Sequence, residues 1–188
     1  HHGDGARSMS TLSQFNLRNI SYIKNMFVGA SERHPRVNVG VTLEWHNNLI
    51  NGFTAGSVVS FGTELDAENN HYREGSYPLA LSTSGIFSLT SSGYTTEGIT
   101  YTREDSRMHI TGNTTDAVFP PNNLPVVEVE NTYYSVTNEV SRINDTGYSI
   151  VAVAQNITEI LADVGANIPS RDTYDTQLVA DYTNNVLA

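Results

Sequence analysis

The stretch NVGVTLEWHNNLING, residues 38–52, sets apolar Val41, Leu43 and Trp45 alternately with polar Thr42, Glu44 and His46, then stops at two asparagines. Period-two alternation places the apolar three on one face of a strand, and Asn and Gly tolerate the left-handed backbone that a turn needs. The same pattern returns along the chain. YIKNMF (22–27) places Asn25, EWHNNLI (44–50) places Asn48 and DAENNHY (66–72) places Asn70. The marker therefore recurs with a period of roughly 22 residues, a length typical of stacked repeats. Overlaying these segments aligns Ile20 with Leu43 and Leu65, Tyr22 with Trp45 and Ala67, and Phe27 with Ile50 and Tyr72. MHITGN (108–113) matches again further on, through Met108, Ile110 and Asn113. The interval from Asn70 to Asn113 reads as two periods, with a skipped coil in the Ser/Thr/Gly-rich stretch 82–102.

No helical periodicity separates the units. Strands that recur at this period without helices predict an all-β parallel solenoid, in which equivalent residues stack roughly 4.8 Å apart. The aligned aliphatic residues then form an interior stack, and Asn25, Asn48 and Asn70 a ladder that satisfies turn hydrogen bonds. Trp45 belongs to the core by its alternation. A two-sheet antiparallel sandwich also explains the alternation, but not why Asn returns in register with its apolar neighbours.

Residues 1–8, HHGDGARS, read as the remains of an expression tag. Residues 9–118 hold the coils. Residues 119–188 form a wrapping tail of the same domain, extended over 119–148, where it wraps the coils, and helical in two short pieces. In the first piece Asn156 is the expected cap, Ile157, Ile160, Leu161 and Val164 the apolar stripe, and Gly165 the stop. In the second, Asp172 is the N-cap with Asp175 three residues on, and Leu178, Val179 and Tyr182 form the buried face.

The formal charge is −10 with no cysteine among 188 residues. Nucleic acid is a poor partner for such a surface, and thiolate or disulfide chemistry is excluded. No apolar run approaches the roughly 18 residues of a membrane-spanning helix. The charge is uneven, however. Residues 11–43 carry Arg18, Lys24, Arg33 and Arg36 against Glu32 alone, so the region suited to an anion lies near the N-terminus. His46, His71 and His109 lack close metal-ligand spacing and read as surface residues. Asn19 and Asn113 match glycosylation sequons.

Three segments together resemble the pectate lyases. NISYIKNMFVGASERHPRVNVGVTLEWHNNLINGF (19–53) is similar to the family's passage from a strand through an Arg-x-Pro-Arg turn to a strand ending in Asn-Asn. AENNHYREGS (67–76) resembles the coil that follows, and ITEILADVGANIPSRDTYDTQLVADY (157–182) resembles the C-terminal tail of many bacterial members. The resemblance implies a right-handed parallel β-helix, secretion, and cleavage of acidic polysaccharide, polygalacturonate above all, by β-elimination. It puts Arg33 at the position of the catalytic base, and Arg36 and His34 at substrate-binding positions. Ca²⁺ is the implied cofactor.

Two departures stand out. Asn38 occupies the place of a second family arginine. Only a short segment lies between Met9 and Arg33, where family members carry several coils that supply the Ca²⁺ carboxylates. Glu44, Glu64, Asp66 and Glu68 lie nearby but read as solvated strand acids, so no metal ligand is assigned. A coil open at its N-terminal end exposes strand edges and apolar core, which predicts a homo-oligomer covering residues 15–28. The alternative to a lyase is a non-catalytic β-helix that binds acidic glycan or serves in an assembly such as a viral fibre.

Overall fold

The computed structural model describes residues 9–53, 56–73, 87–89, 94–102, 105–115, 127–129, 132–134, 141–144, 146–165 and 170–184. The chain there is mostly β, with a three-strand unit that repeats. The first unit is β1 (Leu12–Gln14), β2 (Ile20–Ile23) and β3 (Met26–Val28). The second is β4 (Arg36–Asn38), β5 (Thr42–His46) and β6 (Leu49–Asn51). The third is β7 (Ser57–Ser60), β8 (Glu64–Glu68) and β9 (His71–Arg73). A longer fourth unit contains β10 (Phe87–Leu89), a hairpin of β11 (Tyr94–Thr96) and β12 (Ile99–Tyr101), then β13 (Arg107–Thr111) and β14 (Thr114–Thr115). β15 (Val127–Val129) and β16 (Thr132–Tyr134) follow, then α1 (Val153–Asp163) and α2 (Thr173–Asn184).

Each strand pairs in parallel with its counterpart in the next unit, giving sheets ordered β1-β4-β7-β10-β15-β16, β2-β5-β8-β13 and β3-β6-β9-β14. Among the described strands only the β15–β16 and β11–β12 pairs are antiparallel. This pattern of parallel sheets with two short helices is compatible with a parallel β-helix. The register is the one the repeat predicts: Ile20 faces Leu43 and Leu43 faces Leu65, while Tyr22, Trp45 and Ala67 align beside them. One correction concerns the last interval. Met108 pairs directly with Leu65 across adjacent strands, so the long step from Asn70 to Asn113 is a single enlarged unit with no skipped one.

All three sheets contribute to one core. Val37, Val59 and Phe87 come from the first, Leu43, Trp45, Leu65, Ala67, Met108 and Ile110 from the second, and Ile50 and Tyr72 from the third. Burial of each large aliphatic side chain there contributes about 1.5–3 kcal/mol. Trp45 is fully buried, stacked on Phe27 at 4.9 Å, with its indole N–H donating to the Tyr72 hydroxyl at 3.1 Å.

The asparagine ladder has four rungs. The backbone N–H groups of Asn25, Asn48 and Asn70 donate to the side-chain oxygens of Asn48, Asn70 and Asn113 at 3.0, 2.8 and 3.0 Å. The side-chain nitrogens of Asn48, Asn70 and Asn113 donate to backbone carbonyls of Tyr22, Trp45 and Ala67, so the buried amides are satisfied along the stack. Asn113 is 7% exposed, which removes its sequon as a glycosylation candidate, whereas Asn19 is exposed. The residue before each rung is left-handed: Lys24, Asn47, Asn69 and Gly112 have φ of 55, 52, 50 and 64°. Gly112 has a second constraint, because a Cβ there would meet Asn69 Oδ1 at 1.7 Å.

The two helices lie against the outer side of the third sheet, where Leu49 packs with Ile160 and Tyr182, flanked by Met26, Ile157, Leu161 and Val164. Their ends differ in part from expectation. Asp172 caps α2, accepting the Asp175 N–H at 2.8 Å, and Gly165 follows the end of α1 with φ of 83°. Asn156 is not a cap. It sits inside α1, fully buried, donating to the Asn47 carbonyl at 2.8 Å, and Ala152 precedes the helix instead. The buried residues of α2 are Asp181 and Tyr182, with Leu178 and Val179 half-buried. The tag reading falls outside the described residues, and the extended reading of 119–148 is described only at 127–129, 132–134, 141–144 and 146–148.

Candidate functional site

The Arg-His-Pro-Arg turn joins β3 to β4. Arg33 is left-handed, with φ of 71°, and its carbonyl accepts the Thr11 N–H at 3.0 Å. The peptide between His34 and Pro35 is cis, the Pro35 carbonyl accepts the Val58 N–H at 2.9 Å, and Arg36 opens β4 by donating its N–H to Thr11 O at 3.1 Å. The turn is thus tied to the unit before and the unit after.

Its side chains separate into two sets. His34 turns inward: it is wholly buried between Phe27 and Phe53, and its Nε2 donates to the Ala30 carbonyl at 2.7 Å. Burial pulls its pKa down to about 4, partly opposed by that hydrogen bond, so the ring is neutral at ordinary pH. A hydrogen bond from His34 to an outside polymer is therefore replaced by a packing role. The His34 carbonyl is held from beneath by the hydroxyls of Ser57 and Tyr72, the latter at 3.2 Å.

Arg33 and Arg36 are half-buried on the other side. Burial lowers the pKa of Arg36, the neighbouring Arg33 cation lowers it further, and Glu32 opposes both. The two guanidiniums therefore share one local field. The Arg33 Nε is buried and donates to no partner among the described residues. Asn38, at the family position of a further arginine, is half-buried on the same strand as Arg36.

Three of the four strand acids are not solvated as their sequence suggested; Glu64 alone stays half-exposed, 3.4 Å from Arg107. Glu44 and Asp66 are 2% and 0% exposed, and Glu68 is 8% exposed. They hold residues 141–144 and 146–151, a strap laid over the second sheet. Glu44 accepts the Thr146 N–H and hydroxyl at 3.0 and 2.8 Å and the Ser21 hydroxyl at 2.6 Å. Asp66 accepts the N–H groups of Ile143 and Asn144 at 2.9 and 2.6 Å, and Glu68 pairs with Arg142. Burial pushes Glu44 up, but its three hydrogen bonds outweigh this and hold it below the usual carboxylate range; at Asp66 burial wins and the pKa rises.

His46 is also corrected, since it is fully buried among these acids, stacked on Tyr148 at 6.3 Å and 3.8 Å from Glu44 Oε1. His71 and His109 are half-buried, the first 2.8 Å from the Thr114 hydroxyl and the second 3.9 Å from Glu68. The signal for this layer was in the sequence: Thr42, Glu44 and His46 align with Glu64, Asp66 and Glu68, a row of polar residues returning at outward positions.

These carboxylates do not fit a Ca²⁺ site. Glu44, Asp66 and Glu68 each accept hydrogen bonds from the strap, and among the described residues no group of three or more His, Asp or Glu is placed to hold a metal. A cavity of about 260 Å³ opens between strap and sheet, lined by Glu44, Thr42, Asn19 and Asn144, but it lies away from Arg33 and Arg36 in the fold, on the second sheet. No protein-family model, curated protein or solved structure matches the chain.

Proposed function

We propose that the chain is a right-handed parallel β-helix of the pectate-lyase kind, secreted, which takes an acidic uronate polymer at the Arg33–Arg36 turn and cleaves it by β-elimination. The observation that carries the reading is the pair of half-buried guanidiniums sharing one field, on a turn fixed by backbone hydrogen bonds from both neighbouring units. The planar, charged fork of Arg36 suits a carboxylate, and sheltering strengthens that attraction.

In this reading Arg36 neutralises the uronate carboxylate and stabilises the charge that develops beside it. Arg33, transiently neutral, accepts the C5 proton; the C4–O4 bond breaks, a C4–C5 double bond forms, and O4 leaves with a proton from water. No step is routed through Ca²⁺. The test is the ultraviolet absorbance of the unsaturated product during incubation with polygalacturonate, for the parent and for Arg33→Ala. A rise that falls at least ~100-fold in the variant is expected, the usual scale for loss of a general base. No rise in either protein overturns the lyase.

A second reading, a non-catalytic glycan-binding or assembly element in which copies associate, has its own support. Met9, Leu12, Phe15 and Leu17, in and around the first described strand, are 44–48% exposed. Polymer retention without unsaturated product selects it.

A further inference from the structure

The turns that leave the first sheet carry an unusual surface. Phe15-Asn16, Val39-Gly40 and Phe61-Gly62 occupy the same place in successive units, since Asn16 N–H donates to Val39 O and Gly40 N–H to Phe61 O. All six residues are left-handed, with φ between 49 and 66°. The β11–β12 hairpin folds back onto this row. Its two-residue turn, Glu97-Gly98, has positive φ at both positions, the geometry that suits a tight hairpin. Tyr101 lies flat over the glycines: a Cβ on Gly62 would meet its ring at 2.7 Å, and one on Gly40 at 3.0 Å. Its hydroxyl donates to Asn16 Oδ1 at 2.6 Å.

The outcome is a ridge of rings. Tyr94 stands near both Phe15 and Phe61, with ring centroids 6.3 and 6.0 Å away. Phe15 and Tyr94 nevertheless remain 48% and 40% exposed. Partly exposed aromatic rings beside the Tyr101–Asn16 hydrogen bond suit the mixed surface of a pyranose, whose C–H face packs on an aromatic ring while its hydroxyls stay wet. The ridge also continues the proposed site. Arg36 opens β4, Asn38 closes it and Val39 follows at once, so the ridge begins where the arginine strand ends.

We propose that Phe15, Tyr94 and Phe61 form a second subsite for the same polymer, an aromatic platform that receives sugar rings beyond the one held at Arg33 and Arg36. This inference rests on the uronate-polymer reading above. It assigns the arginine pair to charge and the ridge to chain length, so the two contribute separately.

Titration of the full chain with galacturonate oligomers of increasing length separates them. For Tyr94→Ala and Phe15→Ala, affinity for long oligomers falls roughly three- to tenfold, the scale of one lost aromatic contact, while the shortest oligomer that binds is unaffected. Tyr94→Phe keeps the parent's affinity, which a fold defect would not allow. Arg33→Ala/Arg36→Ala loses oligomers of every length. If that double variant loses binding while Tyr94→Ala and Phe15→Ala match the parent at all lengths, the platform fails and the arginine site stands. If the parent binds no oligomer, both fail. If the aromatic variants instead lower the mass seen by light scattering, the ridge joins copies of the chain and the platform is overturned.

Discussion

At the scale of single residues, His34 shows how far sequence position can mislead about direction. A histidine between two arginines reads as part of a cationic cluster, yet its ring is wholly buried with a pKa of about 4. In the unfolded chain a histidine titrates near ~6.5. Its folded pKa is depressed, so its contribution to stability is complete above pH ~6.5 and is lost as pH falls towards 4. The size of that loss is about 3 kcal/mol, at roughly 1.36 kcal/mol per pKa unit. Urea unfolding of the parent should therefore weaken between pH 7 and pH 4 by that much more than unfolding of His34→Gln. Parallel pH profiles for the two proteins would contradict the buried neutral ring.

At the scale of elements, the strap is where the expected wrapping tail meets the coils, on the outward face of the second sheet. Its strongest anchor is Asn47, whose amide donates to Val151 O at 2.8 Å and Asn69 O at 3.2 Å, and whose oxygen accepts Val151 N–H at 3.0 Å and the Tyr148 hydroxyl at 3.1 Å. Asn47→Gly keeps the left-handed backbone and removes only the amide. We expect it to cost about 2–4 kcal/mol and to speed hydrogen exchange at Ile143, Asn144 and Val151. Unchanged protection at those three amides would mean that the strap is held elsewhere.

The repeat was legible because its signals are local and periodic: alternation sets strand faces, and Asn at the turn sets the register. Trp45, Leu43 and the ladder of Asn25, Asn48 and Asn70 follow from that alone, whereas Asn113 joins as the next rung only in the observed register. The polar row on the outward face of the second sheet was legible, but the burial of Glu44, Asp66 and His46 was not, because nothing local says that residues 141–144 and 146–151, far along the chain, lie on that face. The enlarged fourth unit was missed for a related reason, since an insertion of nearly one period imitates a period.

At the scale of the whole molecule, the three sheets present unlike outer surfaces. The second is closed by the strap through buried carboxylates, the third by α1 and α2 through Leu49, Ile160 and Tyr182, and the first keeps Arg33, Arg36 and the aromatic ridge at its two ends. In the proposed reading, net charge makes this arrangement selective. A chain of formal charge −10 repels polyanions in general, so an acidic polymer is retained only where cations are concentrated. The central claim is that this place is the arginine turn, and affinity electrophoresis tests it most directly. The parent, Arg33→Ala/Arg36→Ala and Asn47→Gly run through gels with polygalacturonate or with a neutral polymer. The account predicts that the parent and Asn47→Gly are slowed by polygalacturonate alone, and that the double variant runs as it does without polymer. A parent that migrates equally in all gels, or a double variant slowed as much as the parent, would contradict it.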